Sequence, residues 1–131
     1  SQIHTGTAVG KLVGTKKEAM LIADVLREKK TNGIEHMALD QDWGLLKSAF
    51  PASSGGLHPG LVPEVLDIYG TELVLLISGG IHGHPKGTRA GAIATMQAIE
   101  AWQEDISLDE KAKKTKELAG ALEKWGYYKP K

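Results

Sequence analysis

The stretch LVLLISGGIHGHPKG, Leu73 to Gly87, decides how this chain folds. Its opening residues, Leu73 to Ile77, are apolar without interruption. The run is far too short to span a bilayer and too continuous for a strand with one face in water. It fits a strand, Leu73–Ser78, buried on both faces in a parallel sheet covered by helices. The glycines that follow form a turn, "SGGIHGHPKG", and a helix runs from about Thr88 to Gln103. Strand, glycine turn and helix make one βα unit.

Two more units of this kind precede it. The first has a strand Gln2–Val9 and a loop with glycines at 6, 10 and 14 around Lys11, then a helix from about Lys16 to Lys30. Thr15 is the expected N-cap, with Glu18 three residues on in capping-box position; Ile22, Val25 and Leu26 form the apolar face. Thr31-Asn32-Gly33 is the expected stop, and residues 34–50, around "DQDW", read as extended or loop. The second unit has a strand at Phe50–Ser53, the turn "SSGG", and a helix from about Pro59 to Tyr69 closed by Gly70. A last amphipathic helix begins at the cap Ser107, with Glu110 three residues on. It carries Leu118, Leu122 and Trp125 along one side and stops at Gly126. Repeated βα units imply an α/β fold. In such folds ligands bind at the carboxyl ends of the strands, where all three glycine loops fall.

Composition narrows the partners. The 131 residues carry 16 basic and 16 acidic side chains, which gives no electrostatic case for nucleic acid or a membrane surface. There is no cysteine, so neither a disulfide framework nor a thiolate metal site is expected, and a reducing cytoplasm is the expected location. The chain opens at Ser1 inside a strand, without a polar lead-in, which suggests a fragment of something longer.

The loops suggest anion chemistry. Small residues at Ser53–Gly56 and Ser78–Gly80 let backbone N–H groups face a bound phosphate, and serine adds a hydroxyl; tight connection alone also explains glycine at such turns. Lys11 offers the formal positive charge that neutral amides lack, or it is a solvated surface lysine. His4 lies on the first strand, where it can face the same ligand. His82 and His84 form an H-x-H pair, but no third ligand stands at suitable spacing, so no metal site is assigned. His84, before Pro85, is expected to fix its turn by hydrogen bonding, and His58 to act similarly at a helix start. His36 is expected at the surface; Asp40 and Asp42, near Trp43, offer carboxylates for a magnesium ion, but solvating a loop is the expected role.

Four motifs, "HTGTAVGKLVG", "DQDW", "PASSGGLHPG" and "SGGIHGHPKGTRAGA", resemble in order and spacing those of the ribulose-1,5-bisphosphate carboxylase/oxygenase large subunit. The resemblance runs from His4 to about Gly126, and the ending at "LEKWG" is most similar to the archaeal (form III) branch. It implies that the chain is the C-terminal part of a (β/α)8 TIM barrel, with strands six to eight and their helices. Residues 1–30 would hold strand, loop and helix six, 50–70 unit seven, 71–104 unit eight, and 107–126 a C-terminal helix.

The resemblance also implies roles. His4 would contact the C5-side phosphate. Lys11, on the mobile loop six, would stabilise the carboxylate formed from CO2, with Leu12 packed beside it. Ser54, Gly55 and Gly56 would contact the sugar backbone and the C1-side phosphate, and Ser78 and Gly79 would bind that same phosphate. The family's Mg2+ ligands and catalytic base lie upstream, outside this chain, so the fragment alone should not turn over ribulose 1,5-bisphosphate with CO2 or O2. The implied partners are the remainder of the large subunit and a second copy of it, in a dimer or dimer-based assembly.

Three positions depart from the family pattern: Ser78 replaces a common glycine, Leu76 a glutamine and Val13 an acidic residue. Were Ser78 held at positive φ, it would cost about 1 kcal/mol or more. The departures keep two other readings in view. One is a non-carboxylating enolase or isomerase-type relative acting on another sugar phosphate. The other is a non-catalytic phosphate-binding or assembly fragment whose uncovered apolar faces favour self-association.

Overall fold

The computed structural model describes residues 1–7, 9 and 15–127. Three strands, β1 (Gln2–Gly6), β4 (Phe50–Ser54) and β5 (Val74–Leu76), form one sheet in the order β1-β4-β5, parallel throughout. Between β1 and β4 the chain makes helix α1 (Lys16–Arg27) and a small antiparallel pair, β2 (Lys30–Thr31) with β3 (Gln41–Asp42). A 3₁₀ turn, Pro59–Leu61, leads into α2 (Val62–Tyr69). After β5 come α3 (Gly79–His82), α4 (Thr88–Gln103), α5 (Leu108–Ala112) and α6 (Lys116–Trp125).

Local chemistry explains most boundaries. Thr15 caps α1 through a complete capping box: its hydroxyl accepts from the Glu18 N–H, and the Glu18 carboxylate accepts from the Thr15 N–H at 2.6 Å. The Thr15 N–H, and after it the Thr15 hydroxyl that donates to the same carboxylate at 3.0 Å, hold the Glu18 carboxyl below its ordinary value. Gly70 and Gly126 end α2 and α6, each at φ 71, a conformation that favours glycine.

Several elements are shorter than their sequence pattern. β1 ends at Gly6, not Val9, because Gly6 turns to φ 74 and the Val9 N–H then bonds the Thr7 hydroxyl at 3.2 Å. α1 stops at Arg27, not Lys30. Glu28 is already extended, Lys30 and Thr31 pair with β3, and the Lys29 carbonyl accepts from Trp43 N–H. The apparent helix 107–126 is two helices. Leu108 and Leu118 are both buried, and their burial does not require the break, since ten residues of continuous helix would set them only about 80° apart around the axis. The break falls at Thr115, whose hydroxyl donates to the Lys111 carbonyl at 2.7 Å, a side-chain bond that competes with the helix ladder.

The core has two parts that meet at α2. Ala19 and Ala23 of α1 join Val65, Ile68 and Tyr69 in one cluster, while Val62 and Leu66 join Ala98, Leu108 and Leu118 in the other. Buried Ala94, Ala98 and Ala101 make a stripe of small residues along α4. Leu73, Leu75 and Ile77 pack against both clusters from the sheet.

The burial expected for Leu73–Ser78 on both faces is not found: Leu73, Val74, Leu75 and Ile77 are half-buried, and Leu76 and Ser78 are exposed. Parallel neighbours in register share a face, so Leu75 and Ser53 lie together on one face while Val74 and Leu76 share the other with Ala52 and Ser54. Leu76 is 43% exposed and Phe50 51%. Among the described residues β5 is an edge strand with one neighbour, β4. Among the described residues no helix is long and apolar enough to cross a membrane.

Candidate functional site

Because β1, β4 and β5 run in parallel, the chain leaves all three at the same edge of the sheet. Ser54 closes β4, and Gly55 and Gly56 follow at φ 112 and φ 68, turning the backbone sharply outward. Both angles lie in the left-handed region that L side chains rarely adopt. Beyond β5, Ser78 stands at the N-cap of α3 with φ −110, so a serine sits there without left-handed strain. Gly79 and Gly80 are the first residues of α3, a position where amide N–H groups lack intrahelical partners.

These loops line one open cleft of about 720 Å³, bounded by Ser54, Gly55, Gly56, Ser78 and Gly79. That volume lies within the usual range for small-molecule sites, roughly 300–1,000 Å³. Leu76 and Leu61 add apolar wall. Gly80 keeps the two loops in contact: a Cβ there would stand 2.5 Å from the Cα of His58 and closer still to the Leu57 carbonyl. His4 joins from the neighbouring strand, its Nδ1 lying 2.9 Å from Ser54 Oγ.

Of the residues singled out from sequence, the structure therefore brings together His4, Ser54, Gly55, Gly56, Ser78 and Gly79. Lys11 and Leu12, with Val13, lie outside the described residues.

The other histidines divide sharply. His84 braces its turn as expected: Nδ1 accepts from the Lys86 N–H at 3.0 Å, so Nε2 carries the hydrogen that reaches the Glu117 carbonyl at 2.8 Å. With both ring nitrogens engaged, His84 has none to offer a metal beside His82, whose Nδ1 faces the Thr88 hydroxyl at 3.3 Å. His58 differs from expectation. It makes no capping bond; its ring stacks on Trp125 with centroids 5.8 Å apart and planes 17° apart. Burial pushes its imidazole below the ordinary histidine value. His36 is exposed, at φ 63. Asp40 accepts from the Gly33 N–H, and Asp42 from the Gly44 N–H while pairing with Lys30 at 2.8 Å. Both acids brace the β2–β3 excursion. Among the described residues no three histidine or carboxylate side chains converge to hold a metal ion.

Two wall residues escaped the sequence reading. Trp125 was legible only as one apolar position of a helix, and the contact that brings it to the cleft lies 67 residues from His58 along the chain. Gly80 was one of a glycine pair, with no local sign that it alone is sterically required.

The profile described as "Ribulose bisphosphate carboxylase large chain, catalytic domain" matches residues 1–125. A ribulose bisphosphate carboxylase of Pyrococcus furiosus is 48% identical over 130 residues, covering 99% of this chain and 28% of its own. A crystal structure of an archaeal Rubisco superposes with a TM-score of 0.85 at 46% identity, over 98% of this chain and 30% of that one. A dimeric archaeal Rubisco from Hyperthermus butylicus gives 0.84 at 41%, over 97% and 29%. The chain thus spans under a third of the length of these relatives.

Proposed function

The chain belongs to the catalytic-domain family of the ribulose bisphosphate carboxylase large chain, and from that premise we propose that it is the segment of such an enzyme that grips the sugar phosphate. The whole protein adds CO2 to ribulose 1,5-bisphosphate, giving 3-phosphoglycerate, with O2 as the alternative gas. In barrel terms, residues 1–30 are unit six, 50–70 unit seven, 71–104 unit eight and 107–126 the C-terminal cover. The whole protein works as a dimer or a dimer-based assembly.

The observation that carries this reading is the shared cleft. Ser54–Gly56 and Ser78–Gly79 border one space at the strand ends, and His4 is bonded to Ser54 one strand away. A bisphosphate needs two anion sites separated by a short carbon chain. We assign the C1-side phosphate to the amides of Gly55, Gly56 and Gly79 with Ser54 and Ser78, and the C5-side phosphate to His4. Backbone N–H groups suit this task because they bind anions at full strength without a titrating side chain. Lys11 supplies the cation that meets the carboxylate as it forms, where charge stabilisation counts most, and Leu12 packs beside it. Among the described residues no acidic or histidine cluster could hold a metal ion, and the family resemblance assigns the Mg2+ ligands to parts of the protein beyond this chain.

The test uses the intact protein, ribulose 1,5-bisphosphate and labelled CO2. The expected result is acid-stable label in product, lost in Lys11→Met while enolisation, read as exchange of the substrate's C3 proton, persists. Isomerised sugar phosphate without fixed label would instead favour the non-carboxylating relative.

A further inference from the structure

Trp125 touches the segments that follow both phosphate loops, and nothing in the proposed chemistry uses it. Its ring stacks on His58, two residues beyond Gly56, at 5.8 Å. Its other neighbour is the turn after α3: a Cβ at Gly83 would lie 3.4 Å from the indole, and His84 leans on the ring at 6.4 Å. Lys124, the residue before it, donates to the Gly83 carbonyl and holds its ammonium 5.0 Å above the indole. Next along the chain, the Gly126 carbonyl presses so closely on Gly60 that no side chain fits there. The end of α6 therefore contacts the second unit at His58 and Gly60, and the third at Gly83 and His84.

We propose that Trp125 is a positioning residue that fixes the spacing of the Ser54–Gly56 and Ser78–Gly80 loops by clamping His58 against the Gly83 turn. This rests on the reading of those loops as a phosphate grip. An amide cradle binds an anion only while its donors converge, and a displacement near 1 Å at such a site is costly. The sheet does not by itself set this spacing. β4 and β5 share only three residue pairs, and beyond them the two loops meet at Gly80 against Leu57 and His58. The aromatic stack adds a second restraint to that Gly80 contact, from the outer side of His58.

The experiment titrates inorganic phosphate into the intact protein by calorimetry and measures ribulose bisphosphate turnover in parallel. Trp125→Ala should weaken phosphate about tenfold and raise KM comparably while kcat stays within about twofold, the pattern of lost ground-state binding. Trp125→Phe, which keeps a flat ring, should recover most of the loss. Should Trp125→Ala fold poorly, His58→Leu removes the stack and leaves Trp125 and the Gly60–Gly126 contact in place; the same weakening is expected, with recovery in His58→Phe. Wild-type phosphate affinity in folded Trp125→Ala or in His58→Leu would overturn the clamp alone. An unmutated protein that binds no phosphate would overturn the grip and the clamp together.

Discussion

His4 Nδ1 and Ser54 Oγ stand 2.9 Å apart across the β1–β4 ladder, joining two strand ends that are 50 residues apart in sequence. The parallel register sets the two side chains on one face: His4 pairs with Ala52, and Ser54 lies two residues on along that strand. The bond fixes the orientation of an otherwise exposed imidazole at the mouth of the cleft.

Ser54→Ala should therefore act twice, removing a hydroxyl from the cleft wall and freeing His4 to rotate. A hydrogen bond of this kind is worth about 1 kcal/mol net, equivalent to roughly a fivefold change in affinity. Steady-state kinetics of the intact protein should show KM for ribulose 1,5-bisphosphate raised by at least that factor. An unchanged KM would remove Ser54 from the grip.

The glycines of the two loops should respond differently to alanine. Gly55 holds φ 112, so Gly55→Ala is strained whatever space surrounds it, by about 1–3 kcal/mol. At Gly79 a Cβ would meet no atom within 4 Å, and its φ is not left-handed. Gly79→Ala should leave the melting temperature near wild type, whereas Gly55→Ala lowers it. Thermal unfolding of the two variants side by side checks this; equal melting temperatures would contradict the loop geometry.

Burial lowers the His58 imidazole below its ordinary value near 6.5. Between the folded value and 6.5 the unfolded chain binds more protons than the folded one, so stability rises with pH in that window and falls as pH drops through it. Replacing the ring by phenylalanine removes the proton and keeps the stack. The melting temperature of His58→Phe should fall less than that of wild type between pH 7 and pH 5. Parallel curves would mean that His58 is not the group responsible.

Much of this arrangement is legible in the residues themselves. Thr15 with Glu18, and Gly70 and Gly126 after apolar helices, announce their roles through local bonds and dihedral needs, and the loop glycines mark the strand ends. What could not be read depends on contacts made far along the chain. The exposure of Leu76 follows from β5 lying at a sheet edge, which no local pattern encodes. The break at Thr115 goes with its hydroxyl bond back to the Lys111 carbonyl, which the apolar spacing of the segment does not announce. His58 reads as a helix-start residue because its actual partner, Trp125, belongs to the last helix. The β2–β3 pair, two residues a strand, is too short for periodicity to register.

The most direct measurement is a crystal structure of the intact protein with ribulose 1,5-bisphosphate, or an unreactive bisphosphate of the same length, bound. The account predicts one phosphate on the amides of Gly55, Gly56 and Gly79 beside Ser54 and Ser78, and the other within hydrogen-bonding distance of His4. A bisphosphate bound elsewhere, with these residues untouched, would contradict it.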